Sequence, residues 1–361
     1  MTRDGISYVV PIRCDSICGG HDELRRSLEQ LRAVGVDVVV ADGSSGAAVL
    51  IHREAFLGVR HLLVEVGPGV NGKVRAVHAG VAAVIHERVV IADDDVRFER
   101  RLLERVAGLL DEADLVVPQN YFAEPHRWHT YWDTARTLLN RSFGHDYPGT
   151  LAVRRSMFID MGGYNESALF ENLELIRTVR AAGGRVRWAP DLFVPRAQPT
   201  TSAFLRQRVR QAYDDLGQPV RLICELSLLP LFSWGVLRHR RTLGVGIGST
   251  VALAEWGRRR NGGRQVFPLR ASLAAPLWVA ERACCVWVAV WLRVVKGGVL
   301  YRGSRLREAA SPLGELRRQR VTSPLPPHAR RHKAVSNAIV HSGTVERPVD
   351  ARPVGDRPHR R

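Results

Sequence analysis

Three consecutive carboxylates close an apolar run in Val89-Val90-Ile91-Ala92-Asp93-Asp94-Asp95. Anions this close repel one another. A divalent cation is the ordinary remedy, and oxygen ligands suit Mg²⁺ or Mn²⁺, held by one or two carboxylates plus substrate phosphates. The other use of such a triplet is as a polar strand end that caps the next helix. A second combination is Asn71-Gly72-Lys73, which opens the apolar-periodic segment Lys73–His86. Glycine permits close backbone approach, a helix start offers free N–H groups, and lysine adds a point charge; together they make a phosphate site. Asn-Gly alone is only a turn signal. Asp42 ends a third apolar run at the turn cluster Asp42-Gly43-Ser44-Ser45.

These residues need elements to position them. Strands are predicted at Ile6–Val10, Val36–Val40, His61–Val66, Arg88–Ala92 and, further on, Leu115–Val117 and Leu151–Val153. Helical periodicity marks Asp22–Val34, where Leu24, Leu28 and Leu31 share a face, and Lys73–His86, with Val74, Val77, Val81 and Val84. The alternation predicts an α/β chain with a mostly parallel central sheet and helices on both faces. Ligands of such sheets gather beyond the carboxyl ends of the strands, where Asp42 and Asp93 fall. The middle of the chain adds an aromatic-rich loop and helix around Tyr121–Phe143, and a helix around Asn172–Ala182.

Composition bounds the rest. The 361 residues are 45% hydrophobic and 25% charged, enough to bury a sizeable core, which excludes collagen-like and wholly disordered classes. Five cysteines, with no CxxC pair, exclude a disulfide scaffold and argue against structural zinc. A reduced cytoplasmic setting is expected, and the polar start Met1-Thr2-Arg3-Asp4 does not read as a secretory signal. The net charge is +17, and Arg317–Arg361 alone carries eleven Lys/Arg against three Asp/Glu in a proline-rich context. Such a segment cannot repay its ordering entropy, so a disordered basic tail is expected. No helix-turn-helix, zinc finger or aromatic RNA-binding motif accompanies it, so nucleic acid is not expected as a partner.

After Pro219 three apolar stretches appear, Leu222–Leu237, Leu243–Trp256 and Leu273–Val295. None is a clean span of ~20 apolar residues, because Glu225, Pro230 and Glu281-Arg282 interrupt them. Trp234, Trp256, Trp278, Trp287 and Trp291 fall in this region, flanked by Arg238, Arg240, Arg241 and Arg258–Arg260. The combination favours helices in contact with a membrane surface, with the core of a helical subdomain as the other reading.

The ordered set Val9-Val10-Pro11-Ile12-Arg13, Ala41-Asp42-Gly43-Ser44, Asn71-Gly72-Lys73, Ala92-Asp93-Asp94-Asp95, Gly149-Thr150-Leu151-Ala152-Val153, Gly162-Gly163-Tyr164-Asn165 and Phe170-Glu171-Asn172-Leu173-Glu174-Leu175 resembles the family 2 glycosyltransferases, over roughly residues 5–215. The resemblance implies the nucleotide-sugar-binding GT-A fold over residues 1–215. The apolar helical region would then take 216–310 and the tail 311–361. It implies a nucleotide-sugar donor bound by Pro11, Arg13, Asp42, Asn71, Lys73, Asp93 and Asp94. Asp93 and Asp95 would form the DXD element that holds a divalent metal, Mg or Mn, with Asp95 the foremost ligand. Gly149 and Thr150 would lie toward the acceptor or diphosphate. So would Gln207 and Arg210, because Gln207-Arg208-Val209-Arg210-Gln211 is similar to the QxxRW element of membrane-associated members, with Gln211 in place of the tryptophan.

The family's usual Glu-Asp pair reads Glu171-Asn172 here, and an amide cannot accept a proton as a carboxylate does. Glu171 is the expected catalytic base. Glu174, one turn later and expected to face solvent, is the second choice, and a compromised enzyme is the third possibility. The expected activity is inverting transfer of a sugar to an acceptor hydroxyl on a lipid or lipid-linked glycan, at the cytoplasmic face of the membrane. A small soluble acceptor is the alternative, and a catalytically silent sugar-nucleotide binder another.

Overall fold

Runs such as Val38-Val39-Val40 and Val89-Val90-Ile91 are buried on both faces, the signature of strands covered by helices from either side. The computed structural model describes residues 5–14, 21–65, 67, 70–238, 240–301 and 303–322. Strand β1 (Ile6–Ile12), helix α1 (His21–Ala33), β2 (Asp37–Asp42), α2 (Ala47–Ala55), β3 (Arg60–Leu63), α3 (Gly72–Ala83), β4 (Arg88–Ala92) and α4 (Arg100–Glu112) alternate. β5 (Leu115–Phe122), α5 (Trp128–Ser142), β6 (Thr150–Arg154), α6 (Arg155–Asp160), α7 (Glu171–Ala181) and β7 (Val186–Arg196) follow. The seven strands form one sheet in the order β3-β2-β1-β4-β6-β5-β7. Only β6 runs against its neighbours, β4 and β5, so the expected mostly parallel sheet is present.

Successive residues of a strand point to opposite faces, and the core divides accordingly. Tyr8, Val10, Val38, Val40 and Val90 pack with the Leu24–Leu28–Leu31 stripe of α1 and with Leu103, Val106 and Leu110 of α4. Val9, Val39, Val89 and Ile91 pack on the other side with Val74, Val77 and Val81 of α3 and Leu175, Ile176 and Val179 of α7. α3 lies so close to β1 that a Cβ at Gly80 would overlap Val9 Cγ1. β7 departs from strand periodicity because Pro190 and Asp191 interrupt it, and its pairing with β5 shifts register at Pro118, where proline cannot donate to the ladder.

Beyond the sheet come α8 (Thr201–Tyr213), a 3-10 turn (Asp214–Gly217), α9 (Pro219–Arg238), α10 (Arg240–Arg259), a 3-10 segment (Arg260–Gln265), α11 (Leu269–Leu273) and α12 (Ala275–Val294). The acid–base pair that breaks the apolar run of α12 faces inward. Arg282 is 1% exposed and sits 2.7 Å from Asp215 Oδ2, while Glu281 lies 3.6 Å from Arg208. The chain then returns to the sheet domain through β8 (Val299–Tyr301) and β9 (Ser304–Leu306). The following segment is stitched to residues 165–177: Leu169 N–H donates to Glu308 O, Phe170 N–H to Ala309 O, and Arg177 to Ser311 O. Leu169, Tyr213, Ala289, Val299 and Leu306 form the core beneath it.

Leu313–Thr322 is a helix, α13, where the sequence reading placed the start of the disordered tail. α13 packs against α7, which supplies the partner that composition could not foresee. The remainder of the expected tail lies outside the described residues.

Filling the α3–β1 contact should be costly. Gly80→Leu is expected to lower unfolding stability by ~1–3 kcal/mol, the usual range for overpacking a core, measured by denaturant titration. An unchanged midpoint would mean that α3 can lift off β1.

Candidate active site

The C-terminal edge of the sheet collects the charged residues. β4 delivers Asp93 directly past Ala92, and the N-terminus of α3 delivers Lys73. Asn71 caps that helix, its Oδ1 accepting from Lys73 N–H at 3.1 Å and its Nδ2 donating to Ala168 O. With no exposure, Asn71 shapes the start of α3 from within. Lys73 Nζ stands 2.5 Å from Asp93 Oδ1 and 2.5 Å from Glu171 Oε1 at the start of α7. Burial works against its charge, but the two carboxylates outweigh burial and hold the ammonium protonated.

Asp95 accepts from Arg196 at the end of β7, at 3.1 Å from Nε and 2.5 Å from Nη2. Its other oxygen, Oδ1, is buried with no hydrogen-bond partner. Burial raises its pKa and Asp93 adds to the rise, against the opposing pull of Arg196. Asp94 is exposed, and its carbonyl accepts from Arg97. The turn before β6 closes the site from beside β4. A Cβ on Gly149 would stand 2.5 Å from Asp93 Oδ2, and Gly149 N–H donates to Asn120 Oδ1. Thr150 is buried and donates to Ile91 O, stapling β6 to β4.

Arg210, on α8, reaches the same ground: its guanidinium lies 5.2 Å from the Tyr301 ring centre and feels Asp214, Glu171 and Asp93. Gln207 sits one turn earlier, half-buried.

The structure thus brings Lys73, Asp93, Asp95, Gly149, Glu171 and Arg210 together. Pro11 is buried near the end of β1, and Arg13 lies just past that strand, next to Cys14, whose N–H donates to Ser44 Oγ. Asp42 is two strands away from Asp93 and is 0% exposed, accepting from His52, His61 and Ser44 N–H at 2.7, 2.9 and 2.8 Å. Burial raises its pKa, and the bonds from His61, Ser44 and His52 overcome this and hold it well below the usual carboxylate range. Asn172 donates to Pro148 O at 2.7 Å. Glu174, expected to face solvent, is fully buried and accepts from Ser311 N–H at 2.6 Å. It points to the returning C-terminal segment instead, because α13 and residues 306–311 cover that face of α7.

Sequence reasoning missed Arg196, Tyr301 and Asp214. Arg196 follows the apolar run Phe193-Val194-Pro195, a strand-end position like that of Asp93. Asp214 stands four residues after Arg210, a spacing that aligns two residues along a helix face. Tyr301 carried no signal, since only the return of the chain brings it here.

A family model, glycosyltransferase-like family 2, matches residues 21–214, more than half of the chain. The chain belongs to glycosyltransferase-like family 2. Among solved structures, this glycosyltransferase is similar to glucosyl-3-phosphoglycerate synthase from Mycobacterium tuberculosis in complex with Mn²⁺, uridine diphosphate and glucosyl-3-phosphoglycerate. That match has 17% identity and a TM-score of 0.38, and covers 56% of this chain and 77% of that one. It is also similar to the mannosyltransferase PcManGT from Pyrobaculum calidifontis in complex with GDP-mannose and Mn²⁺, at 16% identity and a TM-score of 0.43, over 94% of this chain and 86% of that one. None of the curated proteins matches it.

The acidic edge suits a divalent cation by its donor chemistry: two carboxylates two residues apart, one with a buried oxygen that accepts no hydrogen bond. Gly149→Ala should displace the Asp93 carboxylate and weaken Mn²⁺ binding at least tenfold without unfolding the protein, as read by electron paramagnetic resonance titration. Asp95→Ala should do the same. Unchanged Mn²⁺ affinity in both variants would remove the metal from this edge.

Proposed function

We propose that this glycosyltransferase moves a sugar, with inversion, from a nucleotide-diphosphate sugar to an acceptor hydroxyl. The observation that carries the reading is the Asp93–Lys73–Glu171 bridge beside the Asp95–Arg196 pair, at the ligand-binding edge of a family 2 fold. Cations and carboxylates stand there in direct contact, an arrangement that an anion would open. A donor diphosphate provides one: Lys73 and Arg196 are both placed to exchange a carboxylate for phosphate oxygens.

A divalent ion held by Asp93 and Asp95 would offset the negative charge that develops on the leaving diphosphate. Arg210 faces the same charge from α8. Of the acids at the start of α7, Glu171 is the one that reaches the site. Its carboxylate becomes able to receive the acceptor's proton once Lys73 turns toward the diphosphate.

We further propose that the acceptor is lipid-linked and that the enzyme works at a membrane surface. α9 supports this: it is 20 residues long, with a mean hydropathy of 1.6 and only 11% of its apolar window buried. Ile223, Leu231, Phe232, Trp234 and Leu237 project from it, all exposed. An apolar groove of about 280 Å³ runs between α9, α10 and α12. Among the described residues α12 is the other helix of suitable length and composition, but its Glu281 and Arg282 are engaged with α8 and the turn after it. α9 is therefore the element best placed to meet lipid.

Two measurements test these readings. Release of nucleoside diphosphate from a panel of UDP- and GDP-sugars with Mn²⁺ should be detectable, and Glu171→Gln should cut it by ~10²–10⁴-fold while nucleotide affinity holds. Binding without release in the native enzyme would instead indicate a silent sugar-nucleotide binder. Separately, the paired change Leu231→Glu and Phe232→Glu should abolish flotation with phosphatidylglycerol vesicles. Flotation equal to the native protein's would exclude α9 as the contact.

A further inference from the structure

The family's second carboxylate is replaced by Asn172, and the carboxylates around the site are otherwise committed. Asp93 and Glu171 share Lys73, Asp95 is held by Arg196, and Glu174 turns away to Ser311. Asp215 is held between Arg221 at 2.9 Å and Arg282 at 2.7 Å. Asp95 and Glu174 each keep a buried oxygen without a hydrogen-bond partner, but Asp95 is paired with Arg196 and Glu174 faces Ser311. Asp214, by contrast, makes no ion pair among the described residues. It opens the 3-10 turn after α8, one helical turn beyond Arg210, and its Oδ1 is buried with no hydrogen-bond partner. A buried carboxylate oxygen without a donor is costly, and it is eased by a proton or by a hydroxyl that donates to it.

We propose that Asp214 is a second acid–base group of this site, receiving the acceptor hydroxyl's proton as that oxygen attacks the sugar. This rests on the glycosyl-transfer reading given above. The hydroxyl's O–H bond breaks and its proton passes to Asp214. The oxygen's electron pair forms the new bond to the anomeric carbon. The bond from that carbon to the diphosphate breaks, and its pair leaves on the nucleoside diphosphate. Glu171 takes this proton where Lys73 has turned to the diphosphate; while Lys73 still holds Glu171, Asp214 is the nearby carboxylate that makes no ion pair among the described residues.

The electrostatic setting agrees. Burial raises the Asp214 pKa to about 7; Arg210 of α8 and Arg282 of α12 oppose the rise, and Glu171 of α7 and the adjacent Asp215 add to it. A group that ionises near neutrality is present both as base and as acid at working pH, the condition under which proton transfer is most effective. The rate should therefore be full above pH 7 and fall as pH drops through the Asp214 ionisation.

The test uses the full chain with Mn²⁺ and the UDP- and GDP-sugar panel, reading nucleotide release to water or to an added alcohol. Asp214→Asn should lose at least tenfold in kcat, keep its affinity for UDP or GDP, and lose the rate limb near pH 7. Asp214→Glu should restore most of the rate and an acid limb. Carboxyl ¹³C NMR of the native protein should show an aspartate titrating near 7 that Asp214→Asn removes. An Asp214→Asn enzyme with native kcat and an unaltered pH profile would overturn the proposal. So would a spectrum in which no resonance near neutrality belongs to Asp214. A native protein that neither binds UDP or GDP nor releases nucleotide from any donor would instead defeat the glycosyl-transfer reading, and Asp214's role with it.

Discussion

A single ammonium, Lys73, joins three separate parts of the chain. It comes from the first turn of α3, and its two carboxylate partners come from the end of β4 and the start of α7. With about a fifth of the side chain exposed, it is largely removed from water, where an unpaired charge would be expensive. The three elements must therefore hold a common geometry for the charge to be tolerated. The packing above enforces this: α3 is pressed against β1 at Gly80, and α3 and α7 share one core with the same face of the sheet. Gly149 completes the arrangement by leaving room for the other oxygen of Asp93.

The C-terminal helices are bound to the sheet domain by charge as well as by apolar contact. Arg208 of α8 pairs with Asp133 of α5 and faces Glu281 of α12, and Arg282 pairs with Asp215. Buried pairs of this kind add little net stability but penalise any arrangement that separates them. They fix how α12 lies against α8 and the turn after it. The return through β8 and β9 sets Tyr301 over Arg210, then fastens residues 308–311 to the helix that begins with Glu171. The charged edge of the sheet is thus finished by a segment that begins some eighty residues after the family-matched region ends.

Much of the sheet was legible from sequence. β1, β2, β4 and the core of β5 are short apolar runs whose both-face burial leaves little room for polar residues. α1 and α3 carry apolar stripes at helical spacing. β7 was not legible because Pro190 and Asp191 break its pattern, and α2 and α4 carried no motif that drew attention to them. At the site, Lys73, Asp93, Asp95 and Glu171 stood out because each lies at the boundary of a recognisable element. Asp42 stood out for the same reason, yet its carboxylate proved to be enclosed by His52 and His61. A strand-end position says where the backbone stops and nothing about what covers the side chain.

The sequence by itself determined the class of fold and the edge of the sheet where charge collects, because apolar periodicity and turn residues act over a few neighbouring positions. It also determined family membership, through the order of its motifs. Only the tertiary structure decided which acids are paired, which are enclosed and which retain an unsatisfied oxygen. Those outcomes depend on contacts between residues far apart in the chain, such as Lys73 with Glu171, Asp95 with Arg196 and Glu174 with Ser311. Electrostatics and desolvation are set by three-dimensional distance, and no local pattern encodes it.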